Sequence, residues 1–328
     1  MGADSSITIL EDTSHTLNLS DFGFSDSSDN DLLSSITIIN PPTTGTLTLA
    51  GAVVGSNTTI QPSDIDNQQL LYTPAANDNG LASDTILFTV QDDGGTPNGG
   101  IDTDPTPNTI TIDIDPVNDE PSGIDKTVTV LEDSAFDFDI TDFGFSDTDN
   151  HTLLSVTISE LPLNGQLVLS GSPVTTGQVI PAGSISTLQF IPAANDNGIG
   201  YDSFAFQVQD SGGSLNGGTD LDATENRITI DVLPVNDAPT GTDNTVTLPE
   251  DSAFDFDIAD FGFSDIDNHT LLSVTISEIP LNGQLVLSGS PVTTGQVIPA
   301  ASINSLQFTP AANWIVSLAR PLSFAAGV

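Results

Sequence analysis

The chain has 328 residues, of which 45 are acidic and 3 are basic, and it contains no cysteine. This balance argues against nucleic acid and anionic membrane surfaces as partners, because both require clusters of Lys and Arg. The lack of cysteine excludes disulfides, thiolate metal sites and a cysteine nucleophile, and no apolar run reaches the roughly 20 residues of a membrane span.

An internal repeat organises the sequence. Pro-Val-Asn-Asp occurs at 116–119 and again at 234–237, which gives a period of 118 residues. Two further motifs, Glu-Asp and Asp-Phe-Gly-Phe-Ser-Asp, recur in each copy, beginning at Glu11, Glu132 and Glu250 and at Asp21, Asp142 and Asp260. We therefore expect three tandem domains, formed by residues 1–121, residues 122–239 and an incomplete third copy, residues 240–328.

The second and third copies are nearly identical over 124–195 and 242–313, which indicates a recent duplication. The N-terminus, 1–4, lacks the basic and apolar regions of a secretory signal. We therefore interpret the chain as a fragment of a longer protein with more copies, and we expect any secretion signal to lie outside this fragment.

The predicted strands are clearest in the second copy, where apolar and polar residues alternate with a period of two. In chain order they include Val128–Val130, Phe136–Ile140, Val156–Ile158, Leu167–Leu169, Leu188–Phe190, Phe204–Val208 and Ile228–Val232. Asn164-Gly165 suits a tight hairpin turn. No stretch has a convincing helical period, so we expect an all-β chain of tandem immunoglobulin-like antiparallel β-sandwiches, with about seven strands each.

The third copy departs from the repeat at Trp314, the only Trp of the chain, and the tail that follows also contains Arg320. Strands equivalent to 203–208 and 227–232 are missing from its sequence. A sandwich without two strands exposes core residues and sheet edges. We therefore expect the third copy to be truncated, to end in an aberrant tail, and to be less stable than the second.

Acidic pairs recur in the loop after Phe-Gly-Phe-Ser, as Asp147/Asp149 and as Asp265/Asp267. Carboxylates two residues apart in a loop can converge on one hard cation, which takes six to eight oxygen ligands. The linker residues Asn118-Asp119 precede Asp147 by 28 residues, and the same spacing recurs in the next copy. This spacing predicts that the linker acid and the acidic pair meet at a junction. The alternative is a solvated loop in which Asp and Asn favour the turn.

A second candidate is the segment Asn-Asp-Asn-Gly, at 77–80 and 195–198. It resembles part of a calcium loop but lacks the spaced acids and the terminal Glu. A simple turn accounts for it equally well at the level of sequence.

Several of these motifs resemble the cadherin-like tandem repeats of large bacterial surface adhesins. The matching features are the Leu/Pro-Glu-Asp opening, Phe-Gly-Phe-Ser-Asp, Asn-Asp-Asn-Gly followed by Asp-Ser-Phe-x-Phe, and the most specific one, the closing Pro-Val-Asn-Asp-Ala-Pro. The segment 161–192 is also similar to repeats of chondroitin sulfate proteoglycans. The resemblance covers two copies and most of the third. It implies cadherin-like sandwiches without enzymatic activity, at a bacterial cell surface, in adhesion or biofilm formation.

The resemblance also implies Ca²⁺ at each junction. The implied ligands are an early Glu and a later acid of one copy, the linker, and the acidic pair of the next copy. At the first junction they are Glu11, Asp84, Asn118, Asp119, Asp147 and Asp149. At the second junction they are Glu132, Asp202, Asn236, Asp237, Asp265 and Asp267. Pro116 and Pro234 stand where the linker's first Asp is expected, so we expect one or two ions per junction.

Other functions remain open on the sequence. The only histidines are His15, His151 and His269, and two of them are repeat equivalents, so a catalytic His is not expected. The first alternative is a calcium-dependent module that binds a cell-surface glycan or protein, although only Tyr72 and Tyr201 are available as Tyr platforms. The second is a halophilic protein whose acids are solvated and form no specific site.

Overall fold

The computed structural model describes residues 1–249 and 251–312, together with the backbone of 324–327. Within these residues the chain forms three successive groups of strands, which we call the first, second and third units. The one α-helix among them is Pro62–Asp66, and the other described helices are short 3-10 segments. None of the described helices is long and apolar enough to cross a membrane. The prediction of tandem all-β sandwiches is confirmed.

The first unit is a sandwich of a five-stranded and a four-stranded sheet. Its strands are β1 (Ser5–Leu10), β2 (His15–Thr16), β3 (Leu33–Asn40), β4 (Thr46–Leu49), β5 (Ala52–Val53), β6 (Thr58–Ile60), β7 (Leu70–Thr73), β8 (Gly80–Asp92) and β9 (Asn108–Asp115). The sheet orders are β1-β9-β8-β3-β6 and β2-β7-β4-β5. Alternation along the strands directs the apolar side chains into one core between the sheets.

The second unit repeats this topology. Its strands are β10 (Lys126–Leu131), β11 (Phe136–Asp137), β12 (Leu153–Glu160), β13 (Gly165–Leu169), β14 (Ser172–Pro173), β15 (Gln178–Pro181), β16 (Leu188–Pro192), β17 (Gly198–Asp210) and β18 (Asn226–Leu233). The sheet orders are β10-β18-β17-β12-β15 and β11-β16-β13-β14. Phe138 and Phe204 meet edge to face in its core, with ring centroids 5.4 Å apart.

The first and last strands of each complete unit run parallel to each other. Ser5 pairs with Ile110 in the first unit, and Lys126 pairs with Ile228 in the second. The structure adds two details to the predicted antiparallel sandwiches of about seven strands. Each complete unit has nine strands, two of them only two residues long, and one of its strand pairs is parallel.

The third unit is incomplete within the described residues. Its strands are β19 (Phe254–Asp255), β20 (Ser273–Ile276), β21 (Gly283–Leu287), β22 (Ser290–Pro291), β23 (Val297–Pro299), β24 (Leu306–Pro310) and β25 (Phe324–Gly327). The sheet orders are β19-β24-β21-β22 and β23-β20-β25. The tail thus contributes β25, which pairs with β20 as β17 pairs with β12. Of the two strands expected to be missing, the one equivalent to 203–208 therefore has a counterpart of different sequence.

The 3-10 segments correct one predicted strand. They are Leu19–Phe22, Pro97–Gly99, Ile140–Phe143, Ala182–Thr187, Leu215–Gly217, Ile258–Phe261 and Ala300–Ser305. The alternation Phe136–Ile140 predicted a strand, but β11 ends at Asp137. The carboxylate of Asp139 accepts a hydrogen bond from the Thr141 amide at 2.7 Å and begins a 3-10 turn, so local capping outweighs the alternation.

The Asn164-Gly165 dipeptide does not form a hairpin between paired strands. The chain leaves β12 in one sheet and enters β13 in the other, so this turn connects the two layers. A Cβ at Gly165 would lie 2.3 Å from the Phe190 ring. Glycine is therefore required here because the backbone runs directly over a buried aromatic side chain.

Candidate cation sites at the junctions

The linker between the first two units lies against the acidic loop of the second. Ser122 and Ser146 exchange two backbone hydrogen bonds, of 2.8 and 2.9 Å. Three residues upstream, the Asp119 amide donates to the Asp149 carboxylate at 2.8 Å. The linker acid and the acidic pair therefore meet, in the geometry that the 28-residue spacing predicts.

Glu11 connects the same linker to the first unit. Its side chain is buried, and one carboxylate oxygen accepts a hydrogen bond from the Val117 amide. The other oxygen accepts from the Asn79 side-chain amide at 3.0 Å. One oxygen therefore faces the linker and the other faces the turn that contains Asn79, which proves to be part of this junction.

The turn at 77–80 contributes donors to the junction. The side-chain amide of Asn77 donates to Asp119 at 2.7 Å, and its backbone amide donates to Asp12 at 3.1 Å. Asn77 adopts a left-handed φ of 58°. This geometry matches the turn alternative, and the Asn side chains use their NH₂ groups to hold carboxylates rather than presenting oxygens for a cation.

Asn118 is inserted into a loop of the second unit that sequence reasoning did not identify. Its side-chain amide donates to both oxygens of the fully buried Asp210, at 3.2 Å each, and to the Thr219 carbonyl at 2.6 Å. The Thr219 amide donates to the Asn118 carbonyl at 2.8 Å. A Cβ at Gly212 would lie 1.7 Å from the Asn118 Oδ1 atom. The Gly-Gly pair that recurs in this loop was the available sequence signal, because only glycine at position 212 leaves room for the Asn118 side chain.

Three buried atoms at the first junction have no hydrogen-bond partner. They are Asn118 Oδ1, Asp147 Oδ2 and His151 Nδ1. The Asp147 side chain is only 1% exposed. Burial raises the pKa of Asp119, and the nearby carboxylates of Asp149 and Asp12 raise it further. Buried oxygens without donors, together with carboxylates that resist ionisation, make this junction a strongly negative environment.

The second junction repeats most of this geometry. Glu132 accepts from the Val235 amide, and the Asp237 amide donates to Asp267 at 2.7 Å. Ligand atoms of Glu132, Asp237 and Asp267 all lie within 4.8 Å of one another. Asp237 Oδ2 and Asp265 Oδ2 are buried without a hydrogen-bond partner. Burial raises the pKa of Asp237, and Asp133 and Asp267 raise it further.

The two junctions differ at the linker asparagine. The side-chain amide of Asn236 donates to the neighbouring Asp237 carbonyl at 3.0 Å. It has no bond resembling that of Asn118 to Asp210, because the described part of the third unit holds no counterpart of the loop 211–222.

Asp84 and Asp202 do not join these clusters in the described structure, so we do not propose them as ligands. Asp84 is buried and accepts hydrogen bonds from the backbone amides of Thr43, Thr44 and Gly45 at 2.9, 3.2 and 2.7 Å. Asp202 holds the corresponding loop of the second unit, 163–165, at 2.7–3.0 Å. Their oxygens are already satisfied by backbone amides, so we assign them a structural role.

A further acidic cluster lies at the start of the first unit. Asp26, Asp29 and Asp31 have ligand atoms within 4.8 Å of one another, in the loop equivalent to 147–151. Burial, followed by the carboxylates of Asp26 and Asp92, raises the pKa of Asp31. Here Asp31 stands where the later copies have His151 and His269.

The basic side chains that the structure describes are engaged within the second unit. Lys126 Nζ lies 2.6 Å from Asp142, and Arg227 pairs with Glu160. Arg320 lies outside the described residues. Within the described part of the chain, then, neither junction acquires a Lys or Arg to offset its carboxylates.

Comparison with known proteins adds a likeness of fold. No family model matches the chain, and no curated protein sequence matches it. Among solved structures, mouse cadherin-23 EC22-24 is 13% identical, with 95% of this chain and 86% of that chain covered and a TM-score of 0.45. Human mucin-like protocadherin EC1-2 is 15% identical, with 72% of this chain and 98% of that chain covered and a TM-score of 0.37. Drosophila N-cadherin EC1-4 is 12% identical, with 94% and 65% covered and a TM-score of 0.38.

Proposed function

We propose that this chain is a non-enzymatic, extracellular spacer segment of a bacterial surface adhesin, supporting cell adhesion or biofilm formation. In this proposal its tandem sandwiches are stiffened by Ca²⁺ at the two junctions. The observation that carries the proposal is the set of buried carboxylate oxygens without hydrogen-bond partners at the junctions, Asp147 Oδ2, Asp237 Oδ2 and Asp265 Oδ2.

The donor set of the first junction fits a hard cation. Glu11, Asp119, Asp147 and Asp149 offer carboxylate oxygens, and Asn118 offers a buried amide oxygen without a donor. Calcium takes six to eight such oxygens and tolerates irregular geometry. A cation here would relieve the repulsion that raises the pKa of Asp119.

The same ions would fix the angle between the units. Glu11 belongs to the first unit, Asp119 to the linker, and Asp149 to the second unit. A cation bound by all three would connect both sandwiches, whereas without it the like charges repel. Because Pro116 and the reassigned Asp84 reduce the number of ligands, we propose one or two ions per junction, with affinities of about 10⁻⁴–10⁻³ M, as in other extracellular calcium modules.

The glycan-binding form of the alternative gains no support from the described surface. Stacking on sugar rings needs exposed aromatic side chains, and among the described residues no aromatic side chain is fully exposed. Tyr72 lies in the core and donates its hydroxyl to Asp84 at 3.2 Å. We therefore retain the spacer as the proposed function.

Small-angle scattering of the whole chain in CaCl₂ and in chelator tests the proposal. We expect a longer maximum dimension and a higher melting temperature in calcium, and we expect D119N/D149N to lose both responses. D66N/D137N removes two exposed carboxylates away from the junctions and should respond like the unmodified chain. An unchanged maximum dimension and melting temperature on calcium addition would reject the mechanism.

A further inference from the structure

We propose that the loops 147–151 and 265–269 each bind a first-row transition-metal dication of the zinc type through two Asp side chains and a His nitrogen. The inference goes beyond the calcium junction, with which it shares Asp147, Asp149, Asp265 and Asp267. It does not depend on calcium binding there.

The first observation is the direction of the imidazole nitrogens. His151 Nδ1 lies 3.7 Å from an Asp147 oxygen, and His269 Nδ1 lies 3.5 Å from Asp265 and 3.9 Å from Asp267. The first and last separations are too long for hydrogen bonds. Ligands about 2.1 Å from a tetrahedral zinc ion stand roughly 3.4 Å apart, so the spacing is close to that of neighbouring zinc ligands.

The second observation is independent of the spacing. The side chains of Asp147 and Asp265 are each 1% exposed, and each has one oxygen that accepts no hydrogen bond. His151 Nδ1 is likewise buried without a partner. The Asp147 oxygen nearer the imidazole, Oδ1, already accepts the His151 amide at 2.6 Å, so the oxygen without a donor is Oδ2. With its proton on Nε2, the imidazole presents a lone pair at Nδ1, and one cation would satisfy both Nδ1 and Oδ2.

The linker supplies a further oxygen at the first of these loops. A Cβ at Gly212 would lie 1.7 Å from Asn118 Oδ1 and 2.5 Å from His151 Nδ1, so these two unpartnered atoms border the same small space. At the second loop Asn236 is turned towards Asp237, and His269 is more exposed than His151, at 54% against 35%. We therefore expect the first loop to bind the metal more tightly.

The identity of the metal follows from the nitrogen ligand. Calcium is bound by oxygen ligands, whereas imidazole suits Zn²⁺, Cu²⁺, Ni²⁺ and Fe²⁺. The chain contains its own comparison, because Asp31 replaces the His in the first copy and leaves the cluster Asp26, Asp29 and Asp31 with oxygen atoms alone. The His-containing loops and the all-oxygen loop should therefore differ in metal preference.

Calorimetric titration of the whole chain with ZnCl₂, with and without excess CaCl₂, tests the inference. We expect two zinc ions per chain, and an affinity at least 10-fold weaker in H151D/H269D, which gives each loop three aspartates, as in the first copy. H151Q/H269Q, read out with circular dichroism as a check on folding, should lose zinc in the same way. H15D changes the remaining His, outside these loops, and should bind zinc like the unmodified chain.

Zinc affinity unchanged in both double variants, or no zinc binding by the unmodified chain, would overturn the inference. A CaCl₂ titration of the same samples separates it from the proposed function. Zinc binding without calcium binding rejects the calcium junction alone, and calcium binding without zinc binding rejects the present inference alone.

Discussion

The second and third units have nearly the same sequence over 72 residues but differ in structure. Residues 124–195 and 242–313 agree at 61 of these 72 positions. In the second unit this segment begins with β10, yet the equivalent residues 244–249 form no strand. Strand β10 pairs with β18, and the described third unit offers no such partner. The two six-residue segments also differ at three positions, with Pro249 in place of Leu131. The comparison teaches that this strand depends on its long-range partner as well as on its local sequence.

The incompleteness of the described third unit also affects the junction that precedes it. Strands β17 and β18 provide the loop that receives Asn118, so a complete unit binds the linker that precedes it. The second junction lacks this anchor within the described residues, where the linker is held by the contact between Asp237 and Asp267 and by the two backbone hydrogen bonds between Thr240 and Ser264. The completeness of one sandwich therefore determines how firmly it holds the unit before it.

The largest expected difference is in amide hydrogen exchange of the whole chain. Peptides from 165–192 and 283–310 have nearly the same sequence and hence similar intrinsic rates. We expect at least roughly 100-fold less protection in 283–310, because six buried side chains of β17 and β18, each worth about 1.5–3 kcal/mol, have no described counterpart. Equal protection in mass spectrometry would show that the tail restores the third core.

Removing the Asp202 carboxylate should bring the second unit closer to the third. In D202A the amides of Leu163, Asn164 and Gly165 lose their acceptor, and we expect a loss of about 3 kcal/mol in the free energy of unfolding. Urea denaturation followed by circular dichroism measures it. D202N keeps the size of the side chain and one acceptor oxygen, so its free energy of unfolding should fall by about half as much. A loss below about 1 kcal/mol in D202A would contradict the structural role assigned to this residue.

Asn118 and Asn236 allow a direct comparison of the two junctions. We expect N118A to reduce the stability of the second unit by about 2 kcal/mol, since it removes the donor to the buried Asp210. N236A should cost less than about 0.5 kcal/mol, because Asn236 bonds only to its neighbour's carbonyl. Urea denaturation of both variants measures the difference, and equal losses would remove the distinction between the junctions.

G212A provides the control for that comparison. A Cβ at this position would displace the Asn118 side chain, so we expect a loss of about 1 kcal/mol in the unmodified chain. In the N118A background the clash with Asn118 is absent and only the 2.5 Å approach to His151 Nδ1 remains, so the substitution should cost less. Additive losses would show that Gly212 is needed for a reason other than the docking of Asn118.

The smallest expected effect is a pH dependence in metal-free protein. The pKa of Asp119 is raised on folding, so the folded chain holds its proton more firmly than the unfolded chain does. The ionised Asp119 carboxylate destabilises the folded chain at pH values above the raised pKa. This effect disappears as the pH falls towards the ordinary Asp pKa of about 3.9. In chelator, D119N should therefore melt higher than the unmodified chain at pH 7, and the difference should shrink on acidification. A constant difference would contradict the raised pKa. D237N should likewise raise the melting temperature in chelator at pH 7, by an amount that shrinks on acidification.

The local features of this fold could be predicted from the sequence, and the long-range ones could not. Alternation of apolar residues identified β12, β17 and β18, because a period of two is a property of a few neighbouring residues. The spacing between Asp119 and Asp147 correctly indicated a shared junction. The partners of Asp84 and of Asn118 lie about 40 and 100 residues away in the sequence, and no local pattern reports such contacts.

The parallel pairing of β1 with β9, and of β10 with β18, has a mechanical consequence. The chain enters each complete sandwich along one strand and leaves it along the adjacent strand in the same direction, so a pull on the two termini slides one strand along the other. The backbone hydrogen bonds of the pair are then loaded together in shear and must break together, instead of unzipping one at a time. We therefore expect each complete repeat to resist tension along the axis of the chain.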